Sequence, residues 1–194
     1  SKNLKINQQS LKLIKLMNTD QFLIRKAVSN DLSEIVDLYI LVSKTIGGLA
    51  RTENEITNDY VKEFMEKSLQ NGVQFVIVDN FNNEKIVAEI HCYKLQPSVF
   101  GHILSELTIA VNTEYQGKGL GKKLFETVLN YITENRNDIF RVELIARESN
   151  TKALKLYESI GFKVEGRFIN RIKNSENNFE ADIPMAWFNP KFKQ

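Results

Sequence analysis

The segment 111–123 reads Val-Asn-Thr-Glu-Tyr-Gln-Gly-Lys-Gly-Leu-Gly-Lys-Lys. Gly117, Gly119 and Gly121 alternate within it, with Lys118, Lys122 and Lys123 close by. It lies between a β-rich run and a strongly periodic apolar run. Glycines at such a junction permit unusual φ and let a ligand approach the backbone closely. The N–H groups that open a helix have no intrahelical acceptor, and the helix dipole there favours an anion. The chemistry predicted is capture of a phosphate or pyrophosphate; a glycine-rich turn with no ligand is the alternative. A G-x-x-x-x-G-K-[ST] loop does not fit, because Gln116 stands at its first glycine and Lys123 at its hydroxyl position. The dinucleotide pattern G-x-G-x-x-G fails because the third glycine comes one residue early. The pattern that fits is Q/R-x-x-G-x-G/A over 116–121.

Asn150, Ala153 and Tyr157 have the spacing i, i+3, i+7 and share one helix face, with the small Ala153 leaving room beside it. Glu106 falls in a strand-like run. Alternation puts it with Thr108 and Ala110, opposite Leu107, Ile109 and Val111. A carboxylate on a central strand reads either as a base or as half of a salt bridge. His91 reads as a core or edge residue and His102 as a solvated loop residue. Cys92 has no basic neighbour in sequence and reads as an inert thiol.

The elements that position these residues follow from periodicity. Residues 22–25 read as a first strand. Ser29, Asn30 and Asp31 offer caps for a helix carrying Leu32, Ile35, Val36, Leu38 and Tyr39. A break at Gly47-Gly48 precedes a second helix over 55–70, which Asn71-Gly72 ends through positive φ. Strands are predicted at 75–78, 86–93, 103–111 and 141–146, and helices at 120–133 and 150–160. Two closing strands, 162–171 and 178–188, flank a polar turn at 173–177, and Pro184 predicts a bulge or an edge. The order predicts one mixed α/β domain over 21–190 behind an N-terminal extension, 1–20. Residues 4–17 of that extension read as an amphipathic helix or a partly ordered tail.

Composition excludes several classes. The 26 basic and 24 acidic residues nearly cancel, which argues against a nucleic-acid partner. One cysteine cannot close an intramolecular disulfide, and two histidines leave little for a metal site. No apolar run approaches the ~18–20 residues of a membrane span, and no secretory h-region is evident. A cytoplasmic protein without membrane or metal is the expectation, with a homodimer left open.

From Glu106 through Gly117-Lys-Gly-Leu-Gly to Leu124, the chain resembles the strand–loop–helix motif of the GNAT superfamily of acyl-CoA-dependent N-acetyltransferases. Val142-Glu-Leu-Ile-Ala and the run from Asn150 through Tyr157 to Gly161-Phe162 resemble that family's next strand, helix and Gly-Phe junction. Gly166-Arg167 and the run to Met185 resemble its closing hairpin. The likeness spans 22–188, with its sharp motifs in 106–166. It implies a twisted mixed β-sheet flanked by helices, with splayed central strands forming the acyl-CoA site. It implies that pantetheine pairs with the backbone of Ile109, Ala110 and Val111. The pyrophosphate would take N–H groups from Gln116, Gly117, Lys118, Gly119, Leu120, Gly121 and Lys122. Asn150 would face the pantetheine and Tyr157 the acyl sulfur. Tyr157 would then protonate the departing thiolate, and Glu106 would accept the amine proton, directly or through water. The region around Arg51 would shape the acceptor pocket, with Arg51 either holding an acidic group or lying on the surface. The implied function is transfer of an acetyl group from acetyl-CoA to a primary amine by direct attack, with a small-molecule acceptor favoured over a protein. A catalytically silent acyl-CoA-binding module, a protein N-acetyltransferase and use of a longer acyl-CoA are the alternatives.

Overall fold

The computed structural model describes residues 20–45, 48–173 and 177–193. Residues 1–19 of the N-terminal extension, Gly47 of the expected helix break and the centre of the 173–177 turn lie outside the described residues. The strands are β1 (Phe22–Lys26), β2 (Gly72–Asp79), β3 (Lys85–Lys94), β4 (Ile103–Val111), β5 (Arg141–Arg147), β6 (Lys163–Val164), β7 (Phe168–Lys173) and β8 (Phe179–Phe188). The helices are α1 (Leu32–Ser43), α2 (Asn58–Asn71), α3 (Leu120–Asn135) and α4 (Thr151–Ser159). One sheet has the order β1-β2-β3-β4-β5-β8-β6, with β7 also paired to β8.

β2 and β3 are nearly continuous apolar runs because both of their faces are covered. On one face α3 buries Leu120, Leu124, Phe125, Val128, Leu129 and Ile132 against the sheet. Each such side chain contributes roughly 1.5–3 kcal/mol of transfer free energy. Together they fix the helix rotation and therefore the direction in which its N-terminus points. On the other face α1 and α2 bury Ile35, Leu38, Tyr39, Val61, Phe64 and Met65. α2 starts where Thr57 Oγ1 accepts the Tyr60 N–H at 3.1 Å.

Three expectations are corrected. Gly72 does not end α2 through positive φ. Its φ is −135° and it begins β2 directly. Its glycine is required by close approach, since a Cβ there would stand 2.1 Å from Cys92 O and 2.8 Å from Tyr93 Cα. Gly72→Ala is therefore expected to destabilise the fold by about 1–3 kcal/mol, the usual cost of overpacking; an unchanged denaturation midpoint would refute the close approach. The strand expected over 162–171 is two strands, β6 and β7, interrupted around Gly166. Pro184 makes no bulge in the β5·β8 register, where it faces Ile145. It sits instead where the other edge of β8 passes from β7, paired through Asp182, to β6, paired from Met185. A residue without an N–H is tolerated at such a gap.

Candidate functional site

β4 and β5 form the one parallel pair among the described residues, and their ladder is two rungs long: Ile103–Arg141 and Leu104–Val142. Just beyond it, β4 carries a bulge. Ser105 faces Tyr93 of β3 and Thr108 faces His91, so three steps on β4 match two on β3. Glu106 sits in that bulge at φ 54°. A bulge bends its strand, and here it does so where the ladder to β5 ends. The two strands part and leave a cleft of about 160 Å³. Leu107, Thr108 and Ile109 line one wall, Leu144, Ile145, Ala146 and Arg147 the other, and Gly48, Leu49 and Ala50 reach in from the α1–α2 connection. The β4 edge that includes Ile109, Ala110 and Val111 has no strand partner on this side among the described residues.

The glycine loop lies beside the cleft. Tyr115 anchors its start, donating a hydrogen bond to Asp79 Oδ2 at 2.9 Å. Asn112 Oδ1 accepts the Glu114 N–H, and Gln116 Nε2 donates to Val111 O. Gly117 and Gly119 then adopt φ of 78° and 77°, a left-handed backbone that other residues enter at a cost. Gly119 is the N-cap of α3. The first helical bond is donated by the Lys123 N–H to Gly119 O at 3.1 Å. The N–H groups of Gly117, Lys118, Gly119, Leu120, Gly121 and Lys122 find no acceptor among the described residues. Nothing lies within 4 Å of where a Cβ would stand at Gly117 or Gly119. Lys118 Nζ lies 4.6 Å from the Tyr115 ring centre, and Lys122 is 3.7 Å from Glu126. A row of free donors, the positive end of a helix dipole and two lysines fit a pyrophosphate. A Cβ at Gly121 would stand 3.7 Å from Ile109 Cδ1 and 3.8 Å from Val111 Cγ2. The loop therefore adjoins the open part of β4 directly.

α4 closes the far side. Asn150 is its N-cap, with Oδ1 accepting the Ala153 N–H at 3.1 Å, and it also lines the cleft. Tyr157 lines the cleft two turns on. Its ring packs on Phe125 and Phe162 at centroid distances of 5.1 and 6.2 Å. Its hydroxyl has no hydrogen-bond partner among the described residues, and burial pushes its pKa up to about 12.

Simple alternation, which pairs Glu106 with Thr108, does not survive the bulge: Ser105 takes the register position on that face. Glu106 is exposed and outside any ion pair among the described residues. Its charge acts on the phenols of Tyr60 and Tyr93, whose pKa values are raised by burial first and by this carboxylate in addition. His91 is buried away from the cleft. Its Nδ1 is 3.1 Å from Glu89 Oε1, and its ring stacks 3.9 Å from Phe64. His102 is exposed. Cys92 is buried, and desolvation lifts its thiol to about 12, so it stays protonated and unreactive.

The chain matches the model of the acetyltransferase (GNAT) family over residues 44–162, more than half of its length. It belongs to the GNAT family. Among its relatives, the spermidine N(1)-acetyltransferase of Escherichia coli K12 is 33% identical over 69 residues, covering 36% of this chain and 37% of that one. The matched stretch spans less than half the length of each curated relative. A GNAT acetyltransferase structure from Streptococcus pneumoniae superposes with a TM-score of 0.76 at 24% identity, covering 86% of this chain and 99% of that one. A GNAT phosphinothricin acetyltransferase from Sinorhizobium meliloti, solved with acetyl-CoA, gives 0.76 at 15% identity, covering 90% and 91%. At these identities the structures report the shared GNAT fold. Among the described residues no helix is long and apolar enough to cross a membrane.

Several lining residues of this GNAT domain had no signal in the sequence. Thr108, Arg147 and the wall at Leu144, Ile145 and Ala146 become functional candidates only once the two-rung ladder is seen. Glu89 carries no signal of its own inside an apolar run. It is fully buried, accepting from Tyr39 Oη at 2.6 Å and from Gln74 Nε2 at 2.8 Å. Its parity with His91 in β3 was the available clue to this polar cluster.

Proposed function

We propose that the chain transfers an acetyl group from acetyl-CoA to a primary amine by direct attack in a ternary complex. The observation that carries this reading is continuity: free loop donors adjoin Ile109 and Val111, and the open β4 edge leads to the Tyr157 hydroxyl. A pyrophosphate on the N–H groups of 117–122 sends its arm along Ile109, Ala110 and Val111, with Asn150 beside it; the Gln116 N–H, expected to join them, is already held by Thr113 O at 3.3 Å. Acetyl-CoA supplies the activated thioester. Glu106 takes the proton of the acceptor ammonium, directly or through water. The neutral amine attacks: a C–N bond forms, the C–S bond breaks, and the second proton shed by the nitrogen passes to the sulfur, with the Tyr157 hydroxyl donating to that sulfur as its charge builds and ending protonated. Free backbone donors on β4 stabilise the oxyanion. A spermidine acetyltransferase among the relatives supports an amine acceptor. The cytoplasm is the compartment in which we place this reaction.

The test is thiol release from acetyl-CoA against a panel of amines and peptides, with CoA binding measured by calorimetry. Acceptor-dependent release is expected. Binding without release from any acceptor would make the domain a silent acyl-CoA module, and absence of binding would overturn the assignment. Valine at Gly119 is a poor probe of the loop, because φ 77° makes a β-branched residue strained by about 1–3 kcal/mol. Asparagine tolerates that backbone. Gly119→Asn is expected to keep the melting temperature and to weaken CoA binding about tenfold or more, the scale of one charged hydrogen bond. Wild-type affinity in this variant would remove the loop from the site.

A further inference from the structure

The chain has seven arginines, all among the described residues. Six lie within 4.0 Å of a carboxylate: Arg25, Arg136, Arg141, Arg147, Arg167 and Arg171. Arg51 is the exception among the described residues. It is exposed, one residue beyond Ala50 of the cleft wall, with its guanidinium carbon 4.0 Å from the ring centre of Tyr60. The carboxylates that act on it are already engaged. Glu55 accepts from the Thr52 N–H and Oγ1 at 2.7 Å, and Glu63 is 2.6 Å from Lys67. On the opposite side, Glu106 precedes Leu107 and Thr108 of the lining, and it too lies outside any ion pair among the described residues. Both charges act on the same ring, Tyr60: Arg51 pulls its pKa down while Glu106 pushes it up. Glu106 acts in the same sense on Tyr93, the neighbouring phenol. Among the described residues a cation and an anion outside any ion pair thus flank the cleft, one residue from Ala50 and one from Leu107 of its lining, with Arg51 stacked on Tyr60 and the other cation that acts with Glu106, Lys67, already held by Glu63.

We infer that the acceptor is an amino acid, its ammonium directed to Glu106 and its carboxylate held by Arg51. This inference rests on the acetyl-transfer reading and narrows its acceptor class. An ammonium is drawn by a carboxylate and by ring faces together. A carboxylate suits the planar fork of arginine, which stacking on Tyr60 orients in advance. A polyamine meets Glu106 equally well but brings a second cation toward Arg51, so the same site selects against it.

The experiment compares the twenty common amino acids, the α-carboxamide of each, and spermidine. Binding to the CoA-loaded protein is read by calorimetry, and thiol release from acetyl-CoA is read in parallel. At least one amino acid is expected to bind about tenfold or more tightly than its carboxamide and than spermidine, as one charged bidentate contact predicts. Arg51→Met is expected to erase that margin and Arg51→Lys to retain part of it, with acetyl-CoA affinity unaltered in both. Equal or tighter binding of carboxamides or spermidine overturns the inference, as does a margin that survives Arg51→Met or a panel with no bound amino acid. Arg51-dependent binding with no thiol release overturns the acetyl-transfer reading and leaves Arg51 as part of an amino-acid site without an acceptor role. Thiol release with no preference for the carboxylate does the reverse.

Discussion

Replacing Tyr157 with phenylalanine is expected to lower kcat by about 10²-fold or more, within the range of general acid–base contributions, and to leave acetyl-CoA affinity nearly unchanged. Phe125 and Phe162 hold the ring, so phenylalanine keeps the packing and deletes one hydroxyl. Burial raises the phenol to about 12, so the acid form persists well above neutrality. Since an acid must be protonated to act, its activity is lost only as pH rises through that value. No falling limb from Tyr157 is therefore expected between about pH 6 and 10. The magnitude also limits the role. An ordinary thiol near 8.5 is the stronger acid by about 3.5 units, so complete transfer to a free thiolate is uphill by on the order of 5 kcal/mol. The hydroxyl earns its rate effect by donating to the sulfur as charge builds, which matters only in the transition state. Steady-state kinetics with an identified acceptor checks this. An unchanged kcat, with chemistry rate-limiting, would remove Tyr157 from the mechanism. The melting temperature should not fall, because the deleted hydroxyl has no partner among the described residues; a fall would give that hydroxyl a structural role.

The parts of this site that rest on local chemistry were legible in the sequence. The strand over 103–111, the helix beginning at Leu120 and the helix expected over 150–160 follow from periodicity and glycine conformation, each decided within a few residues. What stayed hidden depends on partners distant in the chain. Gly72 is fixed by the backbone of Cys92 and Tyr93, and nothing near it in sequence says so. The extra residue at Glu106 exists only relative to the count on β3, so alternation alone assigned the face. The break between β6 and β7 answers to the edge of β8. The splay of β4 from β5 came from family resemblance, because no periodicity reports how many rungs a ladder will have.

Glu106→Gln is expected to reduce kcat/KM for the acceptor at neutral pH by about 10²- to 10⁴-fold, the contribution of a positioned base. The substitution keeps size and hydrogen-bonding capacity and removes basicity. Acetyl-CoA affinity should not change, since the loop donors lie elsewhere. The defect should shrink for a weakly basic amine that is already neutral at the assay pH, because such an acceptor has no proton to lose. A residue that merely supports the bulge would affect strong and weak bases alike. The backbone supplies a second discrimination. At φ 54° a non-glycine residue carries about 1–2 kcal/mol of left-handed strain. Glu106→Gly relieves that strain at the expense of added chain entropy, and is expected to be at least as stable as the wild type while losing the same activity. Loss of function with stability retained is the behaviour of a strained residue kept for its chemistry. Full activity of Glu106→Gln at saturating acceptor, across pH and for strongly basic amines, would transfer the base role to water and leave the bulge as the device that parts β4 from β5.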